Sequence, residues 1–104
     1  MKNTNELKDI LQKTEQELVW AKEELQQCIE EDGLEDLLYI SRKVIQVTTK
    51  VEMLKKVVNG KHWTEQYLIK TREREISSLL NSGLNETDEI KTKATIEAIK
   101  IMLG

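Results

Sequence analysis

The stretch that decides the fold is "LKDILQKTEQELVWAKEELQQC", residues 7–28. Its apolar and small side chains recur at alternating spacings of four and three, the heptad pattern of helices that pack along one another. The first seam therefore comprises Leu7, Leu11, Thr14, Leu18, Ala21, Leu25 and Cys28. Small side chains in alternate layers favour close approach of a neighbouring helix. Asn5, just before the seam, is the predicted N-cap.

A second seam of equal regularity follows in "LLYISRKVIQVTTKVEMLKKVV", residues 37–58. Its positions are Leu37, Ile40, Val44, Val47, Val51, Leu54 and Val58. β-branched residues dominate it and lower its intrinsic helix propensity, so we expect packing on both sides to hold this helix. A second apolar stripe, Leu34, Leu38 and Ile45, lies about 120–140° around the helix from the seam.

Glycines mark the breaks between helices. Gly33 is expected either to close the first helix in a left-handed conformation or to follow Asp32, which would then cap the second helix with Glu35. Asn59-Gly60 and Gly83 mark the later breaks, and Asn85 or Thr87 is the predicted N-cap of the last helix. That helix has two apolar faces, and its apolar end "AIKIMLG" predicts a docked tail.

These patterns predict an all-α fold. We expect one helical domain over residues 1–104, with helices at about 5–31, 34–59, 63–82 and 86–103. The first two would form an antiparallel, coiled-coil-like hairpin of helices roughly 40 Å long, and two helices of roughly 28 Å would complete a four-helix bundle. If helix 3 runs back along helix 2, it stops short of the turn. The uncovered end predicts self-association through Leu34, Leu38, Tyr39 and Ile45.

Composition limits the class of protein. Charged residues make up 34% of the 104 residues, hydrophobic residues 38%, and the net charge is −3, so we expect a soluble protein. Proline and phenylalanine are absent. No apolar run is long enough for a signal peptide or a membrane span, and Cys28 is the only cysteine, so a cytoplasmic location is predicted. Thirteen lysines against three arginines are typical of AT-rich coding, as in an accessory protein of a low-GC bacterium or phage.

The charge is distributed unevenly. Residues 1–32 carry a net −5, whereas residues 33–60 carry +2 and residues 61–83 carry +1. An acidic first helix beside a basic second one favours their pairing. The acidic total argues against a protein that binds nucleic acid over its whole surface.

No constellation for catalysis is present in the sequence. There is one histidine, one cysteine, and no phosphate-binding, nucleophile-elbow or di-iron motif. We therefore predict a non-enzymatic protein with no cofactor and no metal. Cys28 is interpreted as a small buried thiol, with a redox or interchain role as the alternative, and His62 as a surface or capping residue.

The aromatic residues are the candidates for partner binding. Trp20 lies about 130° from the first seam, between Glu17 and Glu24. In "KHWTEQYLIKTRER", residues 61–74, a stripe of Trp63, Tyr67, Lys70 and Arg74 lies opposite an aliphatic side formed by Leu68, Ile69, Ile76, Leu79 and Leu80. Either these rings complete the core of the bundle, or they bind a partner.

We predict a protein–protein interaction module: an assembly, adaptor or inhibitor subunit that associates with itself and with another protein. The preferred pairing sets Lys70 and Arg74 against Glu17 and Glu24 of this chain or of a second copy. The alternative is accessory nucleic-acid binding by Lys61, Trp63, Tyr67, Lys70, Arg72 and Arg74, although Glu65, Glu73 and Glu75 interrupt that field. A third option is an inhibitor that presents acidic helix 1 to a basic protein.

Overall fold

The computed structural model describes residues 1–31, 33–60, 63–81 and 83–104, and for Leu34 it describes the backbone only. Within these residues the chain forms four α-helices and no strand: α1 (Thr4–Glu30), α2 (Leu34–Asn59), α3 (Glu65–Asn81) and α4 (Glu86–Leu103). The predicted all-α class is confirmed, and every helix begins and ends within two residues of its predicted bounds.

The N-cap of α1 is Asn3, so the prediction of Asn5 is wrong. The Asn3 side chain accepts a hydrogen bond from the Glu6 N–H at 2.8 Å, and the Glu6 carboxylate accepts one from the Asn3 N–H at 3.4 Å. This reciprocal capping box needs an acid three residues after the cap. Asn3 has Glu6 there, whereas Asn5 has Lys8. Asn85 caps α4 as predicted, accepting from the Asp88 N–H at 2.8 Å.

The turn between α1 and α2 does not use a left-handed glycine. Gly33 has φ −76° and ψ 53°, so that alternative is wrong, and the alternative cap, Asp32, lies outside the described residues. The Gly33 N–H donates to the Cys28 carbonyl at 2.8 Å, and the Cys28 thiol donates to the Gly33 carbonyl at 2.6 Å. Two hydrogen bonds between the same two residues close the turn.

Both predicted seams are turned away from water. Every position of each seam is buried or half-buried, and α1 packs against α2. In α1 the most buried positions are Leu7 and the three small residues, Thr14, Ala21 and Cys28, whereas the three later leucines are half-buried. Small side chains allow the α2 backbone to come close, and the larger leucines then extend to the flank of the contact.

The helix contacts run from α1 to α2, from α2 to α4, and from α4 to α3. Helix 3 was expected along α2, but among the described residues its main neighbour is α4. The second apolar face of α4 accounts for this, because Leu68 of α3 and Ile99 of α4 are both 0% exposed in one cluster. The resulting molecule measures 46 × 35 × 18 Å.

All four helices contribute to the core at one end of the molecule, called here the closed end. Its buried residues are Leu7, Met53, Leu54, Val57, Leu68, Ala98, Ile99 and Met102. Lys2 fastens the start of the chain to the end of α4: its N–H donates to the Met102 carbonyl at 2.9 Å and its ammonium to the Ile101 carbonyl at 2.7 Å. The predicted docking of the apolar tail is confirmed, since Met102 is fully buried.

Candidate interaction surfaces

At the end opposite the closed end, three large apolar side chains are exposed. Ile29 lies near the end of α1, and Leu38 and Tyr39 lie in the second turn of α2. We call these three residues the tip surface. Tyr39 is 70% exposed, whereas Ile45, two turns further along α2, is half-buried. The Leu34 side chain, also predicted here, lies outside the described residues.

The tip is covered only at its edge, because α4 begins beside Arg42, beyond the first two turns of α2. Glu86, the first residue of α4, forms an ion pair with Arg42. Of the α2 residues that precede Arg42, Tyr39 lies at a groove that it shares with Ile90 and Lys93 of α4, and its side chain remains largely exposed. Large apolar side chains left exposed near one another in the sequence and at one end of a hairpin are typical of a protein–protein contact.

The apolar spacing of α2 does not predict which side of this helix contacts α4. Its contacts include the ion pairs Arg42–Glu86 and Lys50–Glu97, the latter at 2.9 Å, and the buried Met53. The predicted second stripe of α2, with Leu38 and Ile45, borders this side of the helix. Polar residues with long aliphatic stems extend the contact beyond the buried apolar side chains, and an apolar pattern does not reveal such residues.

Trp63 precedes α3, which begins at Glu65, two residues after the predicted start. Thr64 acts as the cap: its hydroxyl accepts from the Tyr67 N–H at 3.2 Å and its carbonyl from the Leu68 N–H at 3.0 Å. The Trp63 ring is half-buried against the closed end and meets the Tyr67 ring edge-on, with centroids 4.8 Å apart. A Cβ atom on Gly60 would lie 2.5 Å from Trp63 Cδ1.

The predicted aliphatic side of α3 is only partly turned inward. Leu68 is buried and Ile69 and Leu79 are half-buried, but Ile76 is exposed and Leu80 is 76% exposed. The buried Thr71, whose hydroxyl donates to the Tyr67 carbonyl at 2.8 Å, lies on the inward side instead. The helix is thus rotated toward its aromatic-basic stripe, and this rotation brings Arg74 to a groove.

A groove of about 300 Å³ lies between α2, α3 and α4, and we call it the central groove. Its charged and aromatic lining consists of Glu52, Lys56, Trp63, Arg74, Glu75 and Lys91. Within the described residues none of these five charged side chains forms an ion pair. Of the predicted stripe, Trp63 and Arg74 line the groove, Tyr67 contacts Trp63, and Lys70 is exposed on the same helix.

The chain matches no protein-family model, and comparisons with curated proteins and with solved structures find no match either. Over the four described ranges, none of the helices combines the length and the apolar character required to cross a membrane.

Trp20 lies apart from the groove, on the outer face of α1, and is 61% exposed. Within the described chain neither Lys70 nor Arg74 pairs with Glu17 or Glu24, because α1 and α3 do not pack along one another. Glu24 instead lies 3.6 Å from the Lys43 ammonium of α2. The predicted pairing within one chain is therefore wrong.

Sequence reasoning missed three residues of these surfaces: Ile29, Lys56 and Lys91. Ile29 follows Cys28, the last residue of the first seam, and the heptad pattern does not include it. Lys56 shares a heptad register with Leu38, Ile45, Thr49 and Glu52, a signal that was present in the sequence. Lys91 carries no such signal, since it reaches the groove only through the packing of α4 between α2 and α3.

Proposed function

We propose that this chain is a non-enzymatic helical interaction module that associates with itself through the tip surface. One observation carries the proposal: large apolar side chains remain exposed at one end of a thin molecule. The radius of gyration is 15.1 Å, against about 13 Å for a compact domain of this length. Such a shape leaves apolar surface that a second molecule can cover.

The amount of exposed surface supports the same proposal. The chain exposes 7076 Å², whereas a compact monomer of this mass exposes roughly 6,000 Å². The excess of about 1,000 Å² is comparable to the ~800 Å² that each partner buries in a standard protein–protein interface. One further contact would therefore bring the protein to an ordinary exposed area.

We also propose the finer architecture of the chain: α1 and α2 form an antiparallel, coiled-coil-like hairpin within a four-helix bundle. Leu7 at the start of α1 clusters with Val57 near the end of α2, and Glu24 near the end of α1 pairs with Lys43 near the start of α2. Both contacts support opposite directions for the two helices. The cytoplasmic location and a second, foreign protein partner stay predictions.

Sedimentation velocity over a wide concentration range tests the self-association. We expect the sedimentation coefficient of the wild-type protein to rise with concentration. The tip variant, Ile29→Glu with Tyr39→Glu, should associate more weakly than the wild-type protein because its charges oppose burial. Leu80→Glu on α3 is the matched control, since Leu80 is more exposed than either tip residue. A monomeric wild-type protein, or association that only Leu80→Glu removes, would contradict the proposal.

Nucleic-acid binding is the second candidate, and the central groove supports it. Lys56 and Lys91 join Arg74 and Trp63 there, so one groove holds three cations and an aromatic ring. Arg72, in contrast, is half-buried, and Lys61 lies outside the described residues. A mobility-shift assay with single- and double-stranded oligonucleotides at low salt tests this candidate, and unshifted oligonucleotides would dismiss it.

A further inference from the structure

The central groove follows a third heptad stripe of α2. Leu38, Ile45, Thr49, Glu52 and Lys56 are spaced by seven, four, three and four residues, so they share one side of the helix. This side is distinct from the seam against α1, and it borders the side that contacts α4, since Arg42 falls between Leu38 and Ile45 in the same spacing. Its second half, Thr49 to Lys56, lines the groove. A groove that runs along a helix can accept a second helix.

The groove has a net positive charge. Lys56, Arg74 and Lys91 come from three different helices, and Glu52 and Glu75 offset two of these three charges. Because these side chains lack ion pairs in the described part of the chain, their charges are available to a ligand. The Trp63 ring adds an apolar wall. An occupant should therefore be acidic and carry a large apolar side chain.

The outer face of α1 has these properties. Trp20 projects from it with 61% of its surface exposed, next to the exposed carboxylates of Glu17 and Glu23. Neither carboxylate forms an ion pair within the described residues, and residues 1–32 carry a net charge of −5. In its own molecule this face cannot reach the groove, because α2 lies between α1 and α4.

We infer that the central groove binds the outer face of α1 from a second copy of this chain. Trp20 packs beside Trp63, and the carboxylates of Glu17 and Glu23 pair with Arg74 and Lys91. This inference deepens the proposed self-association and rests on it, but it uses a surface separate from the tip. Groove and α1 face are different patches, so the contact is heterologous and extends into rings or open chains rather than stopping at a dimer.

Complementation between two variants tests this contact. Both are made in the tip variant, so that association through the tip does not interfere. The groove variant adds Arg74→Glu with Lys91→Glu, and the α1 variant adds Glu17→Lys with Glu23→Lys. All four added positions are exposed, so equal melting temperatures should show that both proteins fold. The charge-matched control of the groove variant adds Lys55→Glu with Lys100→Glu, two exposed lysines outside the groove.

By sedimentation velocity we expect each variant alone to associate roughly tenfold or more weakly than the tip variant, while the control associates as the tip variant does. Mixed in equal amounts, the two variants should associate again, since the intact groove of one meets the intact α1 face of the other and the two charge-reversed surfaces are also complementary. This association should weaken with added salt. A mixture that associates no more strongly than either variant alone would overturn the inference.

The outcomes also separate this inference from the proposed tip contact. A wild-type protein that associates and a tip variant that is strictly monomeric would leave the tip contact standing and refute the groove contact. A tip variant that associates as strongly as the wild-type protein, with association restored by mixing, would support the groove and refute the tip. A groove variant that associates as well as its control would also refute the groove contact.

Discussion

The closed end and the tip of this molecule differ in how their apolar residues are covered. At the closed end all four helices meet, and Leu68, Ile99 and Met102 are completely buried. At the tip α1 and α2 extend past the start of α4, and Leu38 and Tyr39 remain exposed. The closed end therefore stabilises the fold, and the tip remains available for contact with another molecule. Substitutions at the closed end should lower the free energy of unfolding, whereas substitutions at the tip should weaken association.

The largest effect is expected at the closed end, from Leu68→Ala. Removing this fully buried side chain leaves a cavity among α2, α3 and α4, and should lower the free energy of unfolding by about 2 to 5 kcal/mol. Urea denaturation followed by circular dichroism measures the change. Leu80→Ala on the same helix is the control and should change it by no more than about 0.5 kcal/mol. Equal losses for the two variants would mean that α3 is not held by Leu68.

Gly60→Ala should have the next largest effect. The new Cβ would lie 2.5 Å from Trp63 Cδ1 and 2.6 Å from the Lys56 carbonyl, so the indole must move. We expect a loss of about 1 to 3 kcal/mol and, with Trp20→Phe as background, a red shift of Trp63 fluorescence. Gly83→Ala is the control, because nothing lies within 4 Å of the added atom. An unshifted emission spectrum would show that Trp63 does not pack on Gly60.

Lys2→Met should have a smaller effect at the same end. The Lys2 ammonium donates to the Ile101 carbonyl at 2.7 Å, where the α4 dipole favours a positive charge. Its loss should lower stability by about 0.5 to 1 kcal/mol. Lys8→Met, an exposed lysine of α1, provides the comparison in the same urea titration. A Lys2 variant as stable as the Lys8 variant would show that the side-chain contact with α4 adds nothing.

The smallest effect on stability is expected at the tip. Leu38→Ser removes an exposed side chain, so the free energy of unfolding should change by no more than about 0.5 kcal/mol when measured at high dilution. The same variant should associate less strongly in sedimentation experiments. If instead its urea midpoint falls as far as that of Leu68→Ala, the tip is part of the core and the contrast between the two ends disappears.

The helices could be predicted from the sequence because apolar residues at heptad spacing mark the face of a helix that packs against a neighbouring helix. Both seams lie away from water, and α4 uses its two apolar faces on two neighbours, α2 and α3. The capping box was readable too, since Asn3 and Glu6 have the required spacing. Asn5 lacks the acidic residue three positions later that a reciprocal capping box requires.

The neighbours of each helix could not be predicted in the same way. The contact between α2 and α4 uses Arg42 and Lys50, whose side chains look like ordinary surface residues in a pattern of apolar spacing. Trp63 was placed on a helix because its spacing to Tyr67 fits one turn, yet Thr64 caps the helix and Trp63 folds back onto Gly60. The central groove forms where α2, α3 and α4 pack together, so no local sequence pattern predicts it.

The fastening of Lys2 to Met102 has a consequence for protein engineering. With the Lys2 N–H 2.9 Å from the Met102 carbonyl, the two ends of the chain are adjacent in space. A short linker could join them, and new termini could open at the exposed Gly83, where nothing crowds the backbone. Such a circular permutant would retain all four helices, and α4 would leave the ribosome before the other three instead of after them.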